Sequence, residues 1–417
     1  MFFSYFDIDS VTTSTQARGL KKLQIYKKHI NTVREQNDDT QPEYSLCHAQ
    51  NPAVHDTLDS VKKQFKGIQH LILIGIGGSD LGTKAIHSVL DTGKVKLHTL
   101  DTVSARNIEL LLQELKAIGS VKKLAVCVIS KSGNTTETLV NAGVLLTALE
   151  KKFKKAIYSQ TIFIGSPGTD FMKLGKRLKT VSIEIPEIVG GRYSVATEVS
   201  LVPLALLGHD TDAFITGILD SAIDEFESVV AENAVRLHHY IEKSFRHYNF
   251  FAFEPRLAML GAWYRQLTAE SLGKETDRAG NLVTKGFVPT ISTAVELHSV
   301  GQLYLSGFGN VYTDFVTFDD DSINYDIPMS GLAKTYGKFD VQEVATAIYG
   351  GVMGAYKERS LPYRSTIFDD DLPYALGLFM GMRMLETMYV AELLNLNAFN
   401  QPNVELYKNK TREILGI

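Results

Sequence analysis

Short apolar runs separated by longer amphipathic stretches dominate the first half of the chain. Runs at 71–74, 96–100, 124–129, 161–164 and 181–185 have the length and apolar continuity of strands buried on both faces. The stretches between them, such as 81–90 and 139–149, space apolar residues three or four apart and predict helices. Strands alternating with helices predict a doubly wound, mostly parallel sheet whose ligands sit beyond the carboxyl ends of the strands. Ahead of this unit, 17–33 sets Leu20, Leu23, Tyr26, Ile30 and Val33 on one helical face and predicts a helical arm, ended by the polar stretch 36–42. After it, 210–249 reads as helical and polar on one face, a connector into a second unit. There the alternation returns in weaker form, with strands at 250–253, around 287–291 and at 311–318, helices at 256–270 and 294–305, and helix beyond. The pattern divides the chain into an N-terminal helical arm (1–45), a first α/β domain (46–210), a helical connector (211–249), a second α/β domain (250–395) and a C-terminal tail (396–417). Each domain is expected to be a mostly parallel sheet between two layers of helices, a three-layer α/β/α arrangement.

Composition narrows the classes. With 417 residues, 44% hydrophobic and 22% charged, the chain has room for two ordinary domains and a filled core. A net charge of −4 argues against a general nucleic-acid binder and leaves small molecules as the expected partners. Cys47 and Cys127 cannot build a disulfide framework, and Cys127, inside an apolar run, reads as a buried small hydrophobe, which fits a reducing compartment. The N-terminus lacks the basic region and long apolar core of a signal peptide, and no stretch is apolar for long enough to span a bilayer, so a cytoplasmic protein is expected. The acidic clusters at 319–321 and 369–371 read as solvated loops. The pair His238-His239 lacks the one-turn spacing of a metal-binding pair and reads as a solvated helix face.

Candidate chemistry concentrates at two turns. After 71–74 comes Gly75-Ile76-Gly77-Gly78-Ser79-Asp80, where glycines let the backbone turn sharply and Ser79 and Asp80 are N-cap candidates for helix 81–90. Free amides at a helix N-terminus favour an anion, most often a phosphate. The turn fits neither the Walker nor the dinucleotide pattern, since Asp80 stands where the latter needs glycine. Asp101, at the end of the next strand, sits where a ribose-binding carboxylate would and keeps a nicotinamide-dependent oxidoreductase open as an alternative. After 124–129 comes Ser130-Lys131-Ser132-Gly133-Asn134-Thr135-Thr136-Glu137-Thr138, a hydroxyl-rich turn opening another helix. Such a turn can cradle a phosphate dianion without metal or arginine. Either turn alone could be structural; two of them on one parallel sheet point to a phosphate site.

This pairing of Gly-Gly-Ser with Ser-Lys-Ser-Gly-Asn-Thr-Thr-Glu-Thr resembles the sugar isomerase domain family. Val189-Gly190-Gly191-Arg192-Tyr193-Ser194-Val195 and Phe399-Asn400-Gln401-Pro402-Asn403-Val404-Glu405-Leu406-Tyr407-Lys408 are similar, in the same order, to the two signatures of the phosphoglucose isomerase family. The departures are Glu198, where that family usually has a small residue, and Asn403, where it has glycine or alanine. The resemblance implies interconversion of glucose 6-phosphate and fructose 6-phosphate through a cis-enediol, a step of glycolysis and gluconeogenesis, with no cofactor and no metal. It implies Glu270 as the base that carries a proton between adjacent carbons, and Arg192 as the fixed cation facing the negative charge that develops. It further implies His298 as the ring-opening acid/base, contributed by the partner subunit of a homodimer, with Lys408 assisting at the ring oxygen. Ser79, Ser130, Ser132, Thr135 and Thr138 are expected to hold the phosphate together with the amides of Lys131 and Ser132. Gly78 is expected against the sugar, Gly191 to let the backbone come close, and Gln401 to contact the ligand. Two other readings keep the same cradle: a non-catalytic sugar-phosphate sensor, and an isomerase that also accepts mannose 6-phosphate.

Overall fold

The computed structural model describes residues 1–417 except 8–10, 307–308, 320–322 and 369–371. Asp320, Asp321 and the cluster Asp369 to Asp371 therefore lie outside the described residues. The strands are β1 (Phe2–Phe6), β2 (His70–Ile74), β3 (Lys96–Leu100), β4 (Leu124–Ile129), β5 (Thr161–Gly165), β6 (Val181–Glu184), β7 (His247–Ala252), β8 (Val288–Thr293), β9 (Val311–Phe318) and β10 (Tyr363–Phe368). They form two five-stranded sheets, ordered β3-β2-β4-β5-β6 and β1-β10-β9-β7-β8.

The first sheet is parallel throughout, as the sequence predicts. Its centre follows from the alternation of side chains: Leu71 and Leu73 of β2 enter one apolar core, Ile72 and Ile74 the other. Burial on both faces is the reason these strands read as unbroken apolar runs.

The second sheet is parallel except for β1, which pairs antiparallel with β10 from Phe2↔Ile367 to Phe6↔Tyr363. Here the structure departs from the sequence reading. The chain does not begin as helix; β1 closes the edge of a sheet built from the far end of the sequence, and the arm's helix, Thr13–Gln36, follows. β10 falls in a region read as helix, because its buried centre is Arg364, Ser365 and Thr366 rather than apolar residues. The stretch 294–305 is a 3-10 turn, Ala294–His298, opened by a capping box between Thr293 and Glu296, followed by the short helix Gly301–Ser306. The connector is two helices, Thr211–Asp220 and Asp224–Glu242, packed into the main core. His238 and His239 are accordingly half-buried rather than solvated, and burial lowers the pKa of His238.

Cys47 and Cys127 are free thiols, both buried. No helix among the described residues is long and apolar enough to cross a membrane. Helix Ala258–Leu272 does most to build the site: it packs against helix Leu81–Leu90 of the first unit and against β8 and helix Leu372–Leu393 of the second. Its C-terminal turn carries Glu270.

Candidate active site

Both phosphate-loop candidates follow neighbouring strands, since β2 pairs with β4 over its whole length up to Ile74↔Val128. Their carboxyl ends, and the turns beyond them, lie side by side. In the first turn Gly77 has φ +64°, a conformation that only glycine adopts freely. Gly78 lies so close to Gly191 that a Cβ would come within 2.2 Å of its carbonyl carbon, and Ser194 Oγ donates to the Gly78 carbonyl at 3.3 Å. The sequence places these segments over a hundred residues apart; the absence of a side chain at Gly78 is what lets them touch, whereas a Cβ at Gly191 would meet Gly78 only at 3.6 Å, an ordinary contact.

Asp80 occupies the N-cap of helix Leu81–Leu90, yet its side chain does not cap. It is buried against Lys84, which also binds Asp101. Burial raises Asp80 to about 6, with Lys84 opposing. The reading of Asp101 as a ribose ligand is thereby corrected: its carboxylate is engaged by Lys84, and what it steadies is the turn.

In the second turn Ser130 is buried and its Oγ donates to Thr135 Oγ1 at 3.1 Å. Thr135 holds the N-cap of helix Thr136–Phe153 without its side chain accepting from the first turn. Thr138 is buried with its Oγ1 unpartnered. A turn whose hydroxyls served only as caps would have spent them on the helix amides; here the Thr135 side chain makes no cap bond and Thr138 Oγ1 has no protein partner. Ser79, Lys131 and Thr135 are half-buried and Ser132 is exposed. The Lys131 ammonium is disfavoured by burial, with Glu187 opposing and Arg192 adding repulsion, so this turn lies within the field of Arg192.

Arg192 sits in the 3-10 turn Gly191–Ala196, 1% exposed. Nε donates to Ser271 Oγ at 2.8 Å, Nη1 to Glu270 Oε2 at 3.1 Å and to Gln401 Oε1, and Nη2 to the carbonyls of Ala398 at 2.5 Å and Asn400 at 3.2 Å. All five N–H groups of the guanidinium thus have protein acceptors. The expected flat contact with substrate oxygens would need one of these bonds, most simply that to Glu270 or Gln401, to be exchanged. Glu270 remains partly open, its side chain 31% exposed, and its other oxygen accepts from Gln266 Nε2 at 3.0 Å.

The chain therefore brings together Gly78, Gly191, Arg192, Glu270 and Gln401 by direct contact. It does not join His298 or Lys408 to them. His298 is exposed at the end of turn Ala294–His298, and Lys408, on helix Glu405–Leu415, pairs with Glu405 at 2.7 Å. Three groups escaped the sequence reading. Gln266 bonds Glu270 and lies 2.8 Å from where a Gly77 Cβ would stand, joining the first turn to the carboxylate. Its position four residues before Glu270, one helical turn, was the available signal. Ser271, the acceptor for Arg192 Nε, also hydrogen-bonds Tyr193, and Lys274 donates to the backbone of Glu270. The departure at Glu198 has a local explanation: its buried carboxylate meets His48 Nε2 at 2.9 Å, so a larger residue is accommodated by a partner across the core.

A profile of the family described as phosphoglucose isomerase matches residues 5–326. A glucose-6-phosphate isomerase of Thermus thermophilus is 30% identical over 377 residues, covering 88% of this chain and 89% of its own. One of Mycoplasmopsis synoviae is 31% identical over 373 residues, covering 84% and 83%. Among solved structures, a hypothetical protein of Thermus thermophilus superposes with a TM-score of 0.86 at 26% identity, covering 99% of this chain and 100% of that one. A glucose-6-phosphate isomerase from Chlamydia trachomatis shares the fold, with a TM-score of 0.82 at 15% identity over 99% of this chain and 88% of its own. The chain belongs to the phosphoglucose isomerase family.

Proposed function

We propose that the protein interconverts glucose 6-phosphate and fructose 6-phosphate through a cis-enediol, as a cytoplasmic homodimer that needs neither metal nor cofactor. The observation that carries this reading is the Arg192–Glu270 pair set beside two adjacent hydroxyl-lined turns. The phosphate is held by Ser79, Ser130, Ser132, Thr135 and Thr138, with the amides of Lys131 and Ser132. Gly78 and Gly191 give the sugar its close approach and Gln401 contacts it. Glu270 then takes the proton from the carbon beside the carbonyl and returns it to its neighbour. Gln266 holds one carboxylate oxygen, which leaves the other to exchange Arg192 for substrate. The guanidinium, fixed and always charged, lies beside the oxygens on which charge grows.

Ring opening is assigned to His298 and Lys408. Exposure of His298 beside Val295, 73% exposed, favours its delivery to a neighbouring subunit's site. Ile323, Met329, Leu332 and Ile348 of the same unit are likewise exposed apolar residues of the kind a subunit contact covers.

The test is conversion of fructose 6-phosphate to glucose 6-phosphate in a coupled dehydrogenase assay, with Glu270→Gln. The variant should bind phosphosugar nearly normally and lose about 10² to 10⁴-fold in turnover. Near-normal turnover would remove Glu270 as the base.

A further inference from the structure

Lys274 lies just past the end of helix Ala258–Leu272, where the last carbonyls have no intrahelical donor. Its backbone N–H turns back to Leu272, and its side chain takes over the bond that N–H would have made: Nζ donates to the Glu270 carbonyl at 2.6 Å. The same Nζ donates to the carbonyl of Asn400 on the tail. Asn400 also accepts from Arg192, which holds Ala398 and Gln401 as well. Two cations thus fasten one short tail segment, Arg192 to the turn of the first unit and Lys274 to the catalytic helix.

We propose that Lys274 is a positioning residue for the isomerisation, a latch that ties 398–401 to the end of the helix carrying Glu270. The latch fixes Gln401 beside Arg192 and sets the direction in which the chain leaves for helix Glu405–Leu415, where Lys408 sits. The inference rests on the reading of Glu270, Gln401 and Lys408 given under Proposed function. A passive surface lysine would avoid this position. Burial lowers its pKa to about 8, with repulsion from Arg192 adding and Glu270 opposing, so an ammonium placed here depends on the two carbonyls that receive it. Removing it leaves the tail's bonds to Arg192 intact, so the fold should survive while the tail loosens.

Two measurements on the full-length protein test this. In Lys274→Met, hydrogen exchange followed by mass spectrometry should quicken across 398–410 and stay unchanged across 71–138; kcat should fall by about 10-fold or more with KM within about twofold. Lys274→Arg, which can reach both carbonyls, should restore most of the rate. In a cycle with Gln401→Ala, the double variant should be no slower than the slower single variant, because both act through the same segment. Unchanged exchange in the tail, unchanged kcat, or losses that multiply in the double variant would each overturn the proposal. If Lys274→Met does not fold, Lys274→Gln is read in the same way. Exchange needs no substrate, so it reports on the latch even if Glu270→Gln showed the assigned base to be wrong.

Discussion

The two sheets solve the same packing problem with opposite chemistry. In the first, β2 and β4 are apolar along almost their whole length, and the chemistry is kept to the turns beyond their ends. In the second, β9 and β10 place Asp314 and Arg364 in the core at 0% exposure. Arg364 meets Asp314 at 2.7 Å and Glu386 at 2.6 Å; Arg383 meets Asp314 at 2.8 Å; the Tyr248 hydroxyl donates to Asp314 at 2.6 Å. Burial alone would raise the Asp314 pKa, but Arg364 and Arg383 outweigh it and hold the carboxyl below its ordinary range. The network reaches the site through Tyr264, which donates to Glu386 at 3.1 Å and stands on the helix that carries Glu270. The first sheet is an apolar platform that keeps its polar groups in the turns beyond its strands. The second is a charged hub that, through Tyr264, holds the helix carrying Glu270.

The sharpest way to break this contrast is Asp314→Ala. It leaves two buried arginines to share the one carboxylate of Glu386, and loss of one partner of a buried ion cluster costs about 3–5 kcal/mol. Urea unfolding should show that loss, and activity should disappear with the fold. A well-folded variant would mean that water or rearranged side chains satisfy the arginines, and the hub would not be what fixes the helix.

On the first sheet the opposite result is expected. Thr138→Val removes the unpartnered hydroxyl, so the unfolding midpoint should hold while KM for fructose 6-phosphate rises by about 10-fold, the worth of one hydrogen bond to a charged group. A drop in stability with KM unchanged would make Thr138 a structural residue.

This contrast also explains what could be read from the sequence. Strands whose two faces are apolar announce themselves: β2 and β4 fall where the hydrophobic pattern puts them, and so does β9, whose Val311, Tyr312, Phe315 and Val316 outweigh the buried Asp314. β10 does not, because its buried centre is polar and depends on distant partners: Arg364 on Tyr248, Asp314 and Glu386, Ser365 on Tyr349, and Thr366 on Arg383. β1 was hidden for another reason: a strand pairing residues 2–6 with residues 363–367 has no local signal beyond alternation. The two glycine- and hydroxyl-rich turns were legible since their chemistry is local, and the family signatures singled out Arg192 and Gln401. Lys274 and Ser271 were not legible, because their roles arise where the tail and the Arg192 turn meet the helix end.

The two units should also part company in acid. Polar burial in the first relies on neutral histidine pairs: His70 Nδ1 with His98 Nε2 at 3.0 Å, and His87 Nδ1 with His209 Nε2 at 2.9 Å. Each contact needs one ring to donate and the other to accept, which fails once both are protonated. Burial lowers His98 to about 4, with Glu114 opposing, and lowers His209 to about 4, with His87 adding repulsion. A folded pKa below the unfolded value of about 6.5 leaves stability intact above pH 6.5 and drains it as the pH falls toward 4. At pH 5.5 the deficit should be about 1 kcal/mol for His98. His238 of the connector adds in the same direction, while Asp80, raised by burial to about 6, opposes it, because the folded state takes up that proton first; the net decline is therefore smaller than the histidines alone would give. Asp314, held below the ordinary carboxylate range, stays ionised over this interval, so the loss belongs to the histidines and not to the charged hub. Urea midpoints at pH 7.5, 6.5 and 5.5 should decline, and His98→Gln, which can still hydrogen-bond but cannot titrate, should flatten the decline. An equal slope in that variant would move the acid sensitivity away from this pair and weaken the contrast between the sheets.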